Sequence, residues 1–258
     1  MDLEVAGRRV HAATGGAPFK PGERPVLFLH GAGLDHAIWA LAGRFFTQRG
    51  HAVLAVDLPG HGRSEGPPLA TIGAMAGWVL SVLDAAGVAE ARLVGFSMGS
   101  AVAYEAARQA PERIRGLALI GAAPAMPVHP ELLAAAKADD HRAIELMADW
   151  CHGRAGHYGG QPAPGLWVMT ATVRILEQAA PGVLYADLAA CDAFRAEGTV
   201  GVRAVLITGE RDIMTPLKSA RALAERMPRA ELVVIPKAGH LVLSERPNAT
   251  LDALARIA

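Results

Sequence analysis

At 258 residues the chain is long enough for one large domain with a filled core and a smaller insertion. Apolar residues make up 52% and aromatic ones only 5%, so the excess is alanine, valine and leucine, which favours helices packed on a sheet over a β-sandwich or a disordered chain. Lys plus Arg equals Asp plus Glu at 25 each with no long run of one sign, which leaves no electrostatic ground for nucleic acid or an anionic membrane as partner.

In chain order, Leu3 to Val5 and Arg8 to Ala12 read as an opening hairpin hinged at Gly7. Val26 to Leu29 is a short apolar strand that stops at His30-Gly31-Ala32-Gly33, and His36 to Gln48 has helical spacing. Ala52 to Val56 is a second buried strand, closed by Asp57-Leu58-Pro59-Gly60-His61-Gly62. Pro67 to Leu83 carries no charge, yet its two prolines and two glycines and its marginal length speak against a membrane span; a buried amphipathic helix over Thr71 to Ala86 is expected instead. Arg92 to Val94 is a third strand, followed by Gly95-Phe96-Ser97-Met98-Gly99 and a helix over Ser100 to Gln109; Leu117 to Ile120 is a fourth.

Alternating strands and helices predict a parallel sheet covered on both faces. The pattern breaks between about 124 and 198. Helical patches at Pro130 to Lys137, Arg142 to Trp150 and Met169 to Gln178 alternate there with loops, one of them a glycine-rich stretch from Gly156 to Gly165. Strands return at Ala204 to Ile207 and Leu232 to Ile235. The expected organisation is therefore a core of residues 1–123 and 199–258 with a helical insertion at 124–198. Cys151 and Cys191 have no metal-ligand spacing and are too few for a disulfide framework. The acidic start, Met1 to Glu4, lacks a secretory apolar stretch, so a cytoplasmic protein is expected.

Four strand ends carry chemistry, and ligands of open parallel sheets bind beyond such ends. Gly95-Phe96-Ser97-Met98-Gly99 is a G-x-S-x-G between strand and helix, where a strained turn projects the Ser97 hydroxyl as a nucleophile. The small residues after the first strand let the Ala32 amide join that of Met98 as an oxyanion hole, with His30 structural beneath. Glu210 and Asp212 compete to orient a base. The position after the preceding strand reads Gly121-Ala122-Ala123-Pro124 and offers no carboxylate, so Asp212 is favoured. His240 follows the last strand through Gly239 and completes the order Ser, Asp, His. Glu245 and Arg246 are expected to start and cap the final helix.

These residues, with Asp57-Leu58-Pro59-Gly60-His61-Gly62-Arg63-Ser64, resemble the α/β-hydrolase fold superfamily in its small, lidded members, and the resemblance covers almost all of the chain outside the insertion. It implies an eight-stranded, mostly parallel sheet with helices on both faces, a helical cap at about 124 to 198, and a supporting role for Asp57 to Ser64. Serine at the elbow, where dehalogenases and epoxide hydrolases of this fold carry aspartate, argues strongly against those activities. No phosphate-binding glycine loop or metal cluster is visible, so no cofactor or metal is expected.

The expected activity is hydrolysis of an ester or lactone of a partly apolar small molecule through an acyl-enzyme on Ser97. Alternatives are a C–C bond hydrolase, for which Arg154 and Arg174 are the candidate carboxylate grips, a cofactor-free perhydrolase, and a non-catalytic ligand receptor. Leu34, Asp35, Trp39, Phe96, Trp150, Met214 and Leu241 are the expected pocket walls, although Asp35 also suits a helix cap. Tyr158, Trp167, Tyr185 and Phe194 are expected mainly to form the insertion's own core. Oligomeric state is not legible.

Overall fold

The computed structural model describes residues 1–159 and 167–258. One sheet of eight strands comprises β1 (Asp2–Val5), β2 (Arg8–Ala13), β3 (Val26–Leu29), β4 (Val53–Val56), β5 (Ala91–Phe96), β6 (Ile114–Ile120), β7 (Ala204–Gly209) and β8 (Ala230–Ile235). Their spatial order is β1-β2-β4-β3-β5-β6-β7-β8. The opening hairpin is antiparallel, β2 runs antiparallel to β4, and every later pairing is parallel. All residues of β3, β4 and β7 are buried. Successive side chains of a strand point to opposite faces, so unbroken burial means that both faces of the sheet are covered.

The covering helices are α1 (Ala40–Thr47), α2 (Ile72–Ala85), α3 (Met98–Gln109), α4 (Pro130–Lys137), α5 (Arg142–Cys151), α6 (Arg154–His157), α7 (Val168–Leu176), α8 (Val183–Ala193), α9 (Leu217–Ala224), α10 (Val242–Glu245) and α11 (Pro247–Leu254). The uncharged stretch forms α2, capped by Thr71 Oγ1 on the Ala74 amide, and no helix among the described residues is long and apolar enough to cross a membrane. The helix expected from His36 is split: a single 3-10 turn, His36–Trp39, is capped by Asp35 before α1 begins. Helix α3 starts directly after Ser97, two residues earlier than its periodicity indicates.

Between β6 and β7 lie α4 to α8. This stretch enters and leaves the fold at one point, where Ala125 pairs with Arg195 and the Ala196 amide donates to Pro124 O at 2.7 Å. Part of the glycine-rich loop forms α6, and the remainder largely falls at 160–166, outside the described residues. Tyr158 and Trp167 are exposed and do not belong to a core of this stretch, whereas Phe194 is buried. Parallel register levels the strand ends: Leu29 pairs with Gly95, Phe96 with Ile120, Ile120 with Ile207, and Gly209 with Ile235. The loops bearing Ala32, Ser97, Asp212 and His240 therefore emerge along a single edge.

Candidate active site

Ser97 connects β5 to α3 with φ 52° and ψ −116°, a left-handed conformation that is costly for a residue with a side chain. Close packing on both sides holds the turn. A Cβ on Gly95 would stand 2.2 Å from Gly99 O, and one on Gly99 would stand 2.2 Å from Leu29 O, so only glycine fits at either place. Ser97 N donates to Ile120 O at 2.8 Å, and the buried Ser100 hydroxyl reaches Gly95 O and Ile120 O. Met98 N is the first amide of α3 and belongs to the turn that has no carbonyl partner inside a helix.

His240 is 1% exposed, and its two nitrogens stand in different surroundings. Nδ1 donates to Asp212 Oδ2 at 2.8 Å; Nε2 is buried and has no hydrogen-bond partner among the described residues. The Asp212 carboxylate is fully engaged: Oδ1 accepts from the Met214 and Thr215 amides, and Oδ2 also accepts from the Thr215 hydroxyl at 2.8 Å. Burial alone would raise the Asp212 pKa, but the adjacent His240 and the donated hydrogen bonds overcome it and hold the carboxyl below its usual value. Glu210, the competing carboxylate, instead accepts from the Lys237 amide at the surface.

Ser97 and His240 share a small cavity whose walls include Ala32, Leu34, Phe96 and Leu241, with the Phe96 ring 5.0 Å from the imidazole centroid to centroid. A larger cavity of about 270 Å³ also reaches Ser97 and Ala32. Its walls include Met126, Leu132, Met147, Trp150, Leu188 and Met214. The structure thus brings Ser97, Asp212, His240, Ala32, Leu34, Phe96, Trp150, Met214 and Leu241 to one place. Met98 is buried directly beside Ser97.

Two expected wall residues lie elsewhere. Trp39 is 1% exposed and packs its ring 5.2 Å from that of Phe28, because the 3-10 turn directs it into the core. Asp35 caps that turn through the Ala37 amide and borders a separate cleft with His36 and Arg63. Arg174 pairs with Glu177 at the surface, and Arg154 is exposed, so neither grips a ligand in the main cavity. Glu245 does more than start a helix: it is buried, and its oxygens accept from the Gly153 and Gly239 amides, both at 3.0 Å.

Sequence reasoning missed Thr215, although an acid followed three residues later by a hydroxyl is a recurrent turn pattern. It also missed Asp187 on α8, treated below. His11, His36 and Asp57 come within ligand range of one another. Asp57 there already accepts from the His36 ring, the His36 amide and the Arg63 amide, and the Arg63 guanidinium stands 3.5 Å from His11 Nε2. A carboxylate that already accepts three protein donors beside a guanidinium suits a support rather than a metal centre.

The sequence model described as Alpha/beta hydrolase family matches residues 26–253. A pimeloyl-[acyl-carrier protein] methyl ester esterase of Chromobacterium violaceum is 30% identical over 242 residues, which cover 89% of this chain and 92% of that one. A dihydrolipoyllysine-residue acetyltransferase component of an acetoin cleaving system from Cupriavidus necator is 41% identical over 119 residues, 45% of this chain, and the match spans only 30% of that relative's length. Among solved structures, the enol-lactonase from Burkholderia xenovorans LB400 superposes with a TM-score of 0.86 over 100% of this chain and 99% of its own, at 23% identity, a likeness of fold. The chain belongs to the α/β-hydrolase family.

Proposed function

We propose that the protein is a serine hydrolase that cleaves a carboxylic ester or lactone of an uncharged, partly apolar small molecule through an acyl-enzyme on Ser97. The observation that carries the reading is the unpaired, buried Nε2 of His240 on the cavity that Ser97 also lines, with Nδ1 tied to Asp212. A buried nitrogen without a protein partner is costly unless a partner arrives during turnover. In ligand-free enzymes of this kind the nucleophile–base contact is commonly loose and tightens with substrate.

The chemistry follows from these positions. Nδ1 donates to Asp212, so the neutral imidazole carries its lone pair on Nε2. Nε2 takes the Ser97 proton as Oγ bonds to the carbonyl carbon, and the carbonyl electron pair moves to oxygen. The amides of Ala32 and Met98 donate to that oxyanion. Collapse restores the carbonyl and breaks the bond to the leaving alkoxide, which receives the proton from Nε2. Water, deprotonated by the same nitrogen, then releases the acid and free Ser97. Residues 124–198 serve as the cap, since Met126, Leu132, Met147, Trp150 and Leu188 all come from them.

The cavity walls favour the ester reading over its rivals. No lysine or arginine lines the main cavity among the described residues, which leaves a diketone acid without a cationic grip. Its walls also carry Met126, Met147, Met214 and Cys191, soft sulfur atoms that a peracid formed there would oxidise. Short p-nitrophenyl esters should be hydrolysed, and a fluorophosphonate should label the protein. Ser97→Ala should abolish both; full activity in that variant, or no turnover of any ester by the wild type, would end the proposal and in the second case favour a receptor.

A further inference from the structure

Asp187 lies on α8, far in sequence from every strand-end loop, yet it is 0% exposed and reaches one of them. Its Oδ2 accepts from the Gly33 amide and from His61 Nε2, both at 2.8 Å. Leu176 and Leu184, from the same inserted stretch, fill the space that a Gly33 Cβ would occupy. On the other side of Ala32, Gly31 O accepts from His30 Nδ1 at 2.9 Å and from the Leu34 amide at 3.2 Å. A trans peptide is planar, with its C=O and N–H opposed, so fixing Gly31 O also fixes the direction of the Ala32 N–H. Both peptide units flanking Ala32 are thereby held, one by the core and the other by a carboxylate from the insertion.

Hydrogen-bond logic assigns the protons. His30 Nε2 accepts from the Leu58 amide at 3.1 Å, so its proton sits on Nδ1 and the ring is neutral. Burial and the neighbouring His61 push its pKa down to about 4, in agreement. Both nitrogens of His61 face acceptors, Pro59 O at 3.0 Å and Asp187, an arrangement that favours the imidazolium. Burial alone would disfavour that charge, but the Asp187 carboxylate more than offsets it. Asp187 Oδ1, meanwhile, is buried and has no partner among the described residues.

We propose that Asp187 and His61 are a positioning pair for the oxyanion loop: the carboxylate brought in on α8 holds the Gly33 amide and so restrains the second of the two peptide units that flank Ala32, while a proton on His61 offsets a negative charge that would oppose the oxyanion. The inference rests on the reading of Ala32 as an oxyanion donor. It ties completion of the catalytic machinery to docking of the insertion, since without α8 the loop loses one of its two anchors.

The test compares wild type, Asp187→Asn, Asp187→Ala and His61→Gln on p-nitrophenyl butyrate, with butylboronic acid as the tetrahedral probe. A lost oxyanion donor costs about 10²–10³ in kcat, and a misaligned one should cost part of that, about 10- to 100-fold. Asp187→Ala should lose kcat by that factor with KM within about threefold, boronate affinity falling in parallel, and Asp187→Asn, whose amide oxygen still accepts from Gly33, should lose less. His61→Gln, which keeps the Gly33 anchor, should lose less than Asp187→Ala. Wild-type kcat and boronate affinity in a folded Asp187→Ala overturn the proposal, as does failure of that variant alone to fold. So does a loss confined to KM and melting temperature, or failure of all three variants to fold, since each marks a structural role alone. Fluorophosphonate labelling of wild type that is lost in Ser97→Ala judges the underlying reading separately.

Discussion

Gly121 lies against the ring of His240: a Cβ at this position would stand 2.6 Å from Cε1 and 3.0 Å from Nδ1 of the imidazole. Its φ of 62° is also one that side chains rarely adopt. The imidazole of His240 is thus seated against the end of β6, at a position where no side chain fits. Gly121→Ala should displace the imidazole from Asp212. The expected result is a fall in kcat of about tenfold or more, from a misplacement of under an ångström, with a loss of stability of about 1–3 kcal/mol. Steady-state kinetics and a denaturant titration check both.

Thr215 gives Asp212 a hydroxyl donor. Thr215→Val keeps the volume and removes the donation at 2.8 Å, a bond to a charged group worth about 1.5–3 kcal/mol. Asp212 has a lowered folded-state pKa, so its stabilising contribution is present above the unfolded value of 3.8 and is lost as pH falls through the folded one. Weakening the shift moves that loss upward in pH. The variant should unfold at higher pH in an acid titration followed by circular dichroism; an unchanged acid midpoint would deny the hydroxyl this role.

The strand ends were legible because their chemistry is local. A glycine two residues to each side of Ser97, and Gly239 before His240, report constraints that act within one turn. Helix α8 was not legible, for a physical reason. Its buried face carries Val183, Leu184, Leu188 and Cys191 but also Asp187, while Tyr185, Ala186 and Ala189 occupy the outer side. Apolar residues on the outside and a carboxylate within erase the contrast on which periodicity depends. A buried carboxylate on an otherwise apolar face is where a functional constraint overrides pattern under the proposal for Asp187. Trp39 failed differently, since proximity in sequence to the oxyanion loop says nothing about the turn at Asp35 that swings it inward.

That inward placement has a measurable consequence. Trp39 touches neither cavity at Ser97, and its Nε1 is buried without a partner among the described residues. Trp39→Phe removes an unsatisfied donor, which favours the variant, and leaves a void, which opposes it. Stability should change by no more than about 2 kcal/mol, and KM for a p-nitrophenyl ester should stay within about twofold. A shift in acyl-chain preference would instead return Trp39 to the pocket.

The apolar lining makes charge the sharpest discriminator among substrates. A p-nitrophenyl butyrate and the corresponding hemisuccinate differ chiefly by a carboxylate at the acyl end. Placing that charge among Leu132, Met147 and Leu188 removes its hydration and offers no lysine or arginine in return, a penalty of several kcal/mol unless the group stays at the mouth or reaches His129. The anionic ester should therefore show a kcat/KM at least about 10²-fold lower. Leu188→Arg should narrow the gap from both directions, since the guanidinium welcomes the carboxylate and disfavours the neutral chain. Equal rates for the two esters in the wild type would mean that the acyl group does not enter this cavity, and that substrate lies along another path to Ser97.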